Sequence, residues 1–326
     1  MKKGCIALFS GGLDSALAAL IMSEHGLKVY ALMFRAPFFA KPLSEDMLNI
    51  LKKYNIELLE KKADELYMKL VVDPKYGRGK NMNPCIDCRV YMYREAAKLF
   101  GNTGTSFIVT GDVIGQRPMT QNKHTLYRME KEAGLKKLVL RPLTALKLRE
   151  TIPETDGIVD RSRLYGFSGR GRERQYELAG HFCIKNIPQP AGGCLLTDVN
   201  FSRKLRNLIE AGENSLEDVE LLKVGRFFRH ISGSRLVIAR NKTESNYLWN
   251  KECDNMVKLR PVNVSGAAGI FIPKGSLSIE EAASAVAYYG KGKNRERVGI
   301  FFKKGDNSGQ VTVKPVEPKK IGFELI

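Results

Sequence analysis

One stretch near the N-terminus constrains the fold more than any other, and from position 5 to 15 it reads CIALFSGGLDS. Cys5 to Phe9 form an uninterrupted apolar run, which is typical of a buried central strand in a parallel sheet. Ser10 to Ser15 then turn the chain, and the composition of Ala16 to Ser23 favours a helix. Gly11 and Gly12 permit backbone angles that are closed to other residues. The stretch therefore predicts a strand, a tight loop and a helix at the start of an α/β domain.

The chemistry of this loop suits an anion. A helix directs the positive end of its dipole at its N-terminus, and glycines let main-chain N–H groups approach a ligand closely. Ser10 and Ser15 add hydroxyl donors, and Asp14 is suited to holding a magnesium ion that bridges phosphate oxygens. Gly-Gly turns are common between strands and helices. Here the whole hexad stands in that context, which indicates a nucleotide phosphate site, and no Gly-Lys-Ser/Thr follows to make it a Walker A loop.

The composition fits a two-domain protein. At 326 residues the chain is long enough for two cores, and 43% apolar and 27% charged residues are ordinary values for a globular protein. No stretch is apolar for long enough to cross a bilayer, and no secretory signal precedes the first strand, so we expect a cytoplasmic protein with no membrane partner. The net charge of +18 favours a polyanionic partner, although a generally Lys-rich surface would give the same value.

The first half of the chain alternates strands and helices, which predicts a doubly wound, Rossmann-like parallel sheet. The predicted strands after the loop are Lys28–Phe34, Ile56–Lys61, Thr105–Gly111 and Leu138–Leu140. The predicted helices are Leu43–Tyr54, Ala63–Val71 and one that runs from the Cys85–Cys88 pair to Phe100. Ligands of such sheets lie at the carboxyl ends of the strands. Phe34 ends the second strand, so it is predicted to lie near the adenine of a bound nucleotide or to be an ordinary core residue.

From about Phe201 the pattern changes to short strands and helices, which predicts a second, smaller α+β domain. The predicted domains are residues 1–198 and 199–326. Ahead of this boundary, the segment from Asp160 to Arg174 interleaves arginines with glycines and aromatic residues. Such a segment suits contacts with phosphates and bases, and the alternative is a solvated charged surface. Its candidate RNA contacts are Arg170, Arg172 and Arg174.

Three of the six cysteines have a spacing that suggests chemistry rather than disulfides. Cys85 and Cys88 flank two residues at the start of a predicted helix, where both thiols can reach one metal ion or cluster. Cys194 follows Pro190-Ala191-Gly192-Gly193, which we expect to form an exposed loop. Inert thiols are expected at the other three cysteines, Cys5, Cys183 and Cys253.

Several chemistries compete for the three cysteines. A closed zinc site normally takes four ligands, and no histidine stands close by in the sequence. A persulfide mechanism needs only two cysteines and an accessible thiolate. Three cysteines can also hold a 4Fe–4S cluster with one iron left open. The remaining alternative is a CxxC pair that only packs.

The hexad from Ser10 to Ser15 matches Ser-Gly-Gly-x-Asp-Ser, the PP-loop signature, and on it the chain resembles the N-type ATP pyrophosphatases. Those enzymes cleave ATP between the α and β phosphates and transfer AMP to a substrate oxygen. Within that group the chain looks like a tRNA thiolation enzyme, related to the 4-thiouridine and 2-thiouridine synthetases. Further segments that resemble the 4-thiouridine synthetases are Gly111-Asp112 with Gly115-Gln116 and Gln121, and Arg141-Pro142-Leu143. The resemblance covers roughly the first two thirds of the chain.

This resemblance implies an enzyme that uses ATP and Mg2+ and acts on tRNA. The implied ATP-binding residues are Ser10, Gly11, Gly12, Asp14, Ser15, Phe34, Gly111 and Gln116. Cys85, Cys88 and Cys194 resemble the three-cysteine arrangement of the cluster-dependent enzymes, which implies a 4Fe–4S cluster whose open iron binds hydrosulfide. These cysteines and Asp14 are the implied catalytic residues. The implied sulfur donor is sulfide or a cysteine desulfurase.

One departure from the family moves the expected RNA contacts. The known 4-thiouridine synthetases carry an RNA-binding region ahead of the PP-loop, and no counterpart stands ahead of Cys5, so we expect RNA binding elsewhere. The segment from Gly225 to Asn246 is similar to the NFACT-type RNA-binding domain, with Ala239 in place of a glycine, and Val262–Gly266 also fits it. The similarity implies RNA contacts at Arg229, Arg240 and Asn241.

The sequence therefore predicts an ATP-dependent tRNA sulfurtransferase. It would adenylate a uridine carbonyl oxygen and replace it with sulfur delivered at the three-cysteine site, because an unactivated carbonyl does not exchange oxygen for sulfur. Two alternatives stay open. One is a PP-loop amidase or ligase with structural cysteines, and the other is a nucleotide-sensing RNA-binding protein. No particular uridine, tRNA or oligomeric state is predicted.

Overall fold

The computed structural model describes residues 4–39, 43–117, 119–186, 193–252 and 255–326. The chain divides into two compact units, Met1–Val199 and Asn200–Ile326. Each unit buries a hydrophobic core of its own. Within the described residues, no helix combines the length and the apolar content that crossing a bilayer requires.

The first unit is built on a parallel sheet with the strand order β3-β2-β1-β4-β5. Its strands are β1 Gly4–Phe9, β2 Lys28–Arg35, β3 Glu57–Lys62, β4 Ile108–Val109 and β5 Val139–Leu140. Every residue of β1 is buried, because β2 and β4 flank this strand and both of its faces are covered. The predicted doubly wound parallel sheet and its central first strand are confirmed.

The strand order places the loop after β1 at a special point of the sheet. The chain moves outward to β2 and β3 on one side of β1, and later to β4 and β5 on the other side. The carboxyl ends of β1 and β4 therefore form a topological switch point, which is where open α/β sheets bind ligands. The Ser-Gly-Gly loop follows β1 and Gly111-Asp112 follow β4, so both lie at this crevice.

The helices of this unit are α1 Leu13–Glu24, α2 Glu45–Lys53, α3 Glu65–Val72, α4 Cys85–Ala97, α5 Phe100–Thr103, α6 Lys123–Ala133, α7 Ile152–Thr155 and α8 Glu173–His181. Helix α1 begins at Leu13, three residues before the prediction, so Asp14 lies in its first turn rather than in the loop. Helix α6 was not predicted, although both of its ends carry ordinary signals. The side chain of Asn122 accepts a hydrogen bond from the Thr125 N–H, and Gly134 ends the helix at φ +75°.

The second unit contains a seven-stranded antiparallel sheet in the order β11-β10-β8-β9-β7-β6-β12. Its strands are β6 Arg226–His230, β7 Arg235–Ile238, β8 Val257–Pro261, β9 Gly269–Ile272, β10 Val298–Lys304, β11 Asn307–Val313 and β12 Phe323–Leu325. Its helices are α9 Val199–Glu210, which begins at the boundary, α10 Leu216–Leu221, α11 Lys242–Asn250 and α12 Ile279–Ala287. Strands β6 and β12 were not predicted, and they pair with each other at one end of the sheet.

The alanine-rich helix α12 covers one face of this second sheet. Ala282, Ala283 and Val286 are fully buried, and they belong to one core with Phe271 and Ile300 from the strands. Small side chains let a helix approach a sheet closely, and the Ser278–Glu281 capping box fixes where the helix starts. The observed antiparallel sheet with helices matches the predicted α+β class.

Candidate nucleotide and sulfur site

Two serines hold the loop between β1 and α1 in shape. The Ser15 hydroxyl donates to the Gly12 carbonyl at 2.8 Å and accepts from the Ser10 N–H at 3.2 Å. The Ser10 hydroxyl lies 3.2 Å from that of Ser15. Gly11 has φ +75°, in the left-handed region that favours glycine. No described side chain caps the start of α1 at Gly12, so the first N–H groups of the helix remain available to an anion.

Asp14 lies beside two polar side chains from distant parts of the chain. Its Oδ2 accepts from Gln116 Nε2 at 3.1 Å and pairs with Arg172 Nη2 at 3.4 Å. Burial raises the pKa of Asp14, while Arg172 and the hydrogen bond from Gln116 act in the opposite direction. Asp14 Oδ1 and Gln116 Oε1 are buried without a hydrogen-bond partner among the described residues. Unsatisfied buried oxygens of this kind fit a hard cation such as Mg2+.

Gly111 brings the end of β4 directly against the start of α1. A Cβ at this position would lie 2.3 Å from the carbonyl carbon and oxygen of Asp14, and 2.6 Å from the Ser15 nitrogen. No side chain fits there unless one of the two backbones moves. The predicted role of Gly111 as an ATP contact stays a prediction, and the structure gives it a packing role as well.

Behind Gly111, a buried charge network connects the switch point to the cysteine helix. Asp112 pairs with Arg89 of α4 at 3.1 Å and accepts from Gln121 Nε2 at 3.1 Å. Burial raises the pKa of Asp112, but Arg89 and Arg141, together with hydrogen bonds from Gln121 and Thr110, hold it below its ordinary value. Arg141 in turn pairs with Glu130 at 2.5 Å, and both side chains are buried. The Arg-Pro-Leu segment noted in the sequence therefore contributes a structural arginine.

The structure brings the three candidate thiols into one neighbourhood. The Tyr67 hydroxyl lies 3.2 Å from Cys88 Sγ, and all three thiols act on the pKa of Tyr67. Burial raises the pKa of Cys88 to about 11 and that of Cys194 to about 12, and it also raises the pKa of Cys85. Cys85 and Cys88 further raise the pKa of Cys194. Cys194 is therefore close enough to Cys85 and Cys88 for their charges to affect its pKa, although it is far from them in the sequence.

Cys194 ends the segment that is predicted to form an exposed loop. Its side chain is half-buried, and the segment that follows is hydrogen-bonded to other parts of the unit. Leu195 N–H donates to the Phe38 carbonyl at 2.8 Å, and Met82 N–H donates to the Leu196 carbonyl at 3.0 Å. Pro190, Ala191 and Gly192 lie outside the described residues.

The other three cysteines differ from one another in setting. Cys5 is fully buried in β1, and this burial strongly raises the pKa of its thiol. Cys183 is exposed just after α8. Cys253 lies outside the described residues. Inert thiols at these positions stay a prediction.

A metal centre needs several donor side chains close together. Among the described residues, no group of three or more His, Cys, Asp or Glu side chains is arranged to hold a metal ion. The donors near Tyr67 are three cysteine sulfurs, and an all-sulfur set suits an iron–sulfur cluster in its chemistry. The cluster stays a proposal.

Phe34 is buried at the end of β2 and its ring lies 6.1 Å from that of Tyr91, edge to face. Tyr91 is in turn 5.2 Å from Tyr67. These aromatic rings connect Phe34 with the thiol neighbourhood. Its contact with adenine remains a prediction.

The three arginines near α8 have different surroundings. Arg170 is exposed, Arg172 reaches Asp14, and Arg174 lies 6.0 Å from the ring of Phe167. A cavity of about 390 Å³ beside Arg174 is lined in part by Tyr165 and Phe167. The contact of Arg172 with the PP-loop was not foreseen, since the sequence assigned this residue only to RNA.

In the second unit, the arginines implied by the NFACT similarity are engaged within the protein. Arg229 donates to Asn207 Oδ1 and pairs with Glu213 at 2.7 Å. Arg240, which precedes α11, pairs with Glu244 in the first turn of that helix. The Asn241 side chain caps α11 by accepting from the Glu244 N–H. RNA contacts at these positions stay predictions.

Two protein-family models match this chain, and each match falls within one of the two units. Residues 1–156 match the model described as thiamine biosynthesis protein (ThiI), and residues 225–324 match the NFACT protein RNA binding domain. The predicted resemblance is confirmed. The first unit contains a region similar to ThiI, and the second contains a region similar to the NFACT RNA-binding domain.

The ThiI-type region has relatives among curated proteins. A tRNA-specific 2-thiouridylase MnmA of Clostridium botulinum is 31% identical over 126 residues, which are 34% of this chain and 35% of the relative. A probable tRNA sulfurtransferase of Thermococcus kodakarensis is 28% identical over 153 residues, 45% of this chain and 38% of the relative. The chain thus spans little more than a third of the length of these relatives. A solved 4-thiouridine synthetase–RNA complex with bound ATP is 21% identical, with a TM-score of 0.37, and the match covers 67% of this chain and 52% of that one.

Sequence reasoning missed several residues of the site. Arg89, which pairs with Asp112, directly follows Cys88 in the sequence, and this position next to a candidate site residue was the signal that could have identified it. Tyr67 had no such signal, because only the packing of α3 on α4 brings its hydroxyl to Cys88.

Proposed function

We propose that this chain is an ATP-dependent tRNA sulfurtransferase that replaces a uridine carbonyl oxygen with sulfur. The observation that carries the proposal is the link between the PP-loop and the thiols. Arg89, next to Cys88 on α4, pairs with buried Asp112, and the neighbouring Gly111 packs against Asp14 in the first turn of α1. A series of contacts therefore links the proposed phosphate site with the helix that carries Cys85 and Cys88.

ATP would bind with its phosphates at the start of α1. The N–H groups of the first turn and the glycines suit the phosphate oxygens, and Arg172 is placed to add a positive charge. Asp14 would hold Mg2+ through its unpartnered Oδ1, which would neutralise phosphate charge. The uridine oxygen attacks the α-phosphorus, pyrophosphate leaves, and AMP stays on the oxygen. This adenylate turns the carbonyl oxygen into a leaving group.

Sulfur would be delivered from the neighbourhood of Tyr67. Cys85, Cys88 and Cys194 would hold the 4Fe–4S cluster, and when bound it supplies an open iron for hydrosulfide. The protein itself orders these sulfurs: α4 positions two of them, the hydrogen-bonded segment after Cys194 positions the third, and Tyr67 contacts Cys88. Sulfide attacks the activated carbon, the C–O bond breaks, and AMP leaves with the original oxygen. In the competing chemistry, a cysteine desulfurase loads a persulfide onto one of these cysteines, and a second cysteine attacks it, which releases sulfide and leaves a disulfide between the two.

The tRNA partner is supported by the NFACT-type match over residues 225–324 and by the basic composition of the whole chain. Lys and Arg side chains that neutralise phosphates supply most sequence-independent affinity for RNA. The activity, the tRNA and the sulfur donor are parts of the same proposal.

The deciding experiment measures two products from the full chain prepared without oxygen. With ATP, Mg2+, sulfide and total tRNA, pyrophosphate release should depend on tRNA, and mass spectrometry of the nucleosides should show thiouridine. Asp14→Ala should lose pyrophosphate release while keeping a folded circular dichroism spectrum. Asp156→Ala, at an exposed position, is the matched control and should retain release.

The same measurements separate the alternatives. Pyrophosphate release without thiouridine, together with a modified base that carries an amine, would favour the amidase or ligase. ATP binding without any tRNA-dependent pyrophosphate release would favour the nucleotide-sensing RNA-binding protein. Normal release by Asp14→Ala would refute the assigned site.

A further inference from the structure

A group of aromatic and basic side chains occupies one face of the second sheet near its β11 end. Phe301 of β10 is paired in register with Arg260 of β8, and Lys303 is paired with Lys258. Because these positions alternate with core residues such as Leu259 and Ile300, the four side chains share the face opposite α12. Trp249, near the end of α11, contacts Arg260 and Phe301 on this face.

The two aromatic rings, which are tilted by 56° to each other, and one guanidinium form a cluster. The guanidinium carbon of Arg260 lies 4.0 Å from the ring centre of Trp249 and 5.6 Å from that of Phe301. The two rings are 6.0 Å apart, and Lys258 Nζ donates to the Trp249 carbonyl at 3.0 Å, which ties the end of α11 to β8. We name Trp249, Arg260, Phe301 and Lys303 the aromatic–arginine platform.

The charges of the platform are available to a partner. Arg260 and Lys303 are exposed, and neither forms an ion pair with any carboxylate that the structure describes. This distinguishes Arg260 from Arg229, Arg235 and Arg240, which are all paired with glutamate or aspartate inside the unit. A planar cation that already lies on an indole keeps its outer face open to a second flat group.

We propose that the aromatic–arginine platform binds an unpaired nucleobase of RNA by stacking, with Lys303 contacting the adjoining phosphate. Aromatic rings and arginine planes are the surfaces on which single-stranded RNA bases stack, and a basic neighbour follows the backbone. A paired base inside a duplex does not offer its face. The ligand is therefore a single-stranded loop or end. This inference rests on the proposed RNA substrate, but it needs neither ATP nor sulfur chemistry.

The chain itself contains the reporter for a test, because Trp249 is its only tryptophan. The full chain is titrated with a single-stranded uridine dodecamer at low salt, and Trp249 emission is followed together with anisotropy of the labelled oligonucleotide. We expect emission to change on binding and a 12-base-pair RNA duplex to bind more weakly. Polyglutamate of similar charge should leave the emission unchanged.

Arg260→Lys keeps the positive charge and removes the planar surface, so it should weaken binding of the dodecamer about tenfold. Arg295→Lys, at another exposed arginine of the same unit, is the matched control and should bind like the original chain. Phe301→Leu is the second variant and should also weaken binding, with an unchanged circular dichroism spectrum as its check on folding.

The outcomes separate this inference from the proposed function. If the chain binds the dodecamer but Arg260→Lys and Phe301→Leu bind equally well and Trp249 emission stays constant, the platform is refuted while an RNA substrate stands. An equal response to polyglutamate would assign the face to charge alone and would also refute base stacking. No binding of any RNA by the original chain would overturn both proposals.

Discussion

At the scale of single residues, Gly111 has the strictest steric requirement at the switch point. Gly111→Ala would place a Cβ within 2.3 Å of the Asp14 backbone, so β4 or α1 must shift. We expect tRNA-dependent pyrophosphate release to be lost and stability to fall by about 1–3 kcal/mol. Thermal unfolding and release assays measure both effects.

Gly180→Ala is the control for this substitution. Gly180 lies in α8, and an added Cβ would meet no described atom within 4 Å. Alanine is the better helix former, so this variant should be neutral or more stable by about 0.5–1 kcal/mol. Normal pyrophosphate release by Gly111→Ala would contradict the packing argument.

The thiols are also tested one residue at a time. Cys85→Ser, Cys88→Ser and Cys194→Ser should each abolish thiouridine formation, whereas exposed Cys183→Ser should not. Adenylation needs no thiol, so all four variants should still release pyrophosphate with tRNA. The measurements are thiouridine and iron content of protein prepared without oxygen.

The pattern of losses distinguishes the two sulfur chemistries. A cluster with three protein ligands loses one with any of the three substitutions, so iron content should fall in each variant. A persulfide mechanism would leave one of the three cysteines dispensable. Full thiolation by protein without iron would eliminate the cluster.

At the scale of elements, Glu213 connects helix α9 to the second sheet. It follows α9 and pairs with Arg229 of β6, Arg235 of β7 and Lys274. Burial raises its pKa, but charge and hydrogen bonding from Arg229, Arg235 and Lys274 together lower it from the ordinary value of 4.5. A lowered pKa means that the folded state favours the carboxylate, so its contribution to stability is present above that value.

Glu213→Gln should therefore lower the stability of the second unit by about 1–3 kcal/mol at pH 7, because it removes the carboxylate that pairs with Arg229 and one of the two that pair with Arg235. The difference in the free energy of unfolding between this variant and the original chain should shrink as the pH falls below 4.5 and then through the lower pKa of Glu213 in the folded state. Urea unfolding followed by Trp249 emission reports on this unit. Exposed Glu210→Gln is the control and should change little at either pH. A pH-independent difference would contradict the electrostatic account.

At the scale of the whole molecule, two cores predict two separable activities. A chain ending at Val199 keeps the complete parallel sheet and its core, so it should bind ATP. It should bind tRNA far more weakly than the full chain. For the full chain, the logarithm of the tRNA binding constant should fall steeply and linearly with the logarithm of the salt concentration, because binding releases counterions. Filter binding at several salt concentrations measures the slope. Equal tRNA affinity of the short and full chains would contradict the assignment of RNA binding to the second unit.

The sequence alone determined those parts of the protein whose physical causes are local. An apolar run, a Ser-Gly-Gly-x-Asp-Ser hexad and a helix are adjacent in the chain, so the central strand and its loop could be predicted together. The CxxC pair is local in the same way. Element ends were less predictable, because hydrogen bonds with Gly12 and Asn122 decide where α1 and α6 begin.

Only the tertiary structure decided which distant side chains meet. Gln116 and Arg172 reach Asp14, Tyr67 reaches Cys88, and Arg89 reaches Asp112 across large sequence separations. In the second unit, strand register placed Arg260 beside Phe301 and the end of α11 placed Trp249 over both. Such contacts depend on strand order and helix packing rather than on neighbouring residues. For this reason Arg229, which the sequence motif assigned to RNA, forms an ion pair within the unit, while Arg260, which belongs to no motif, is exposed.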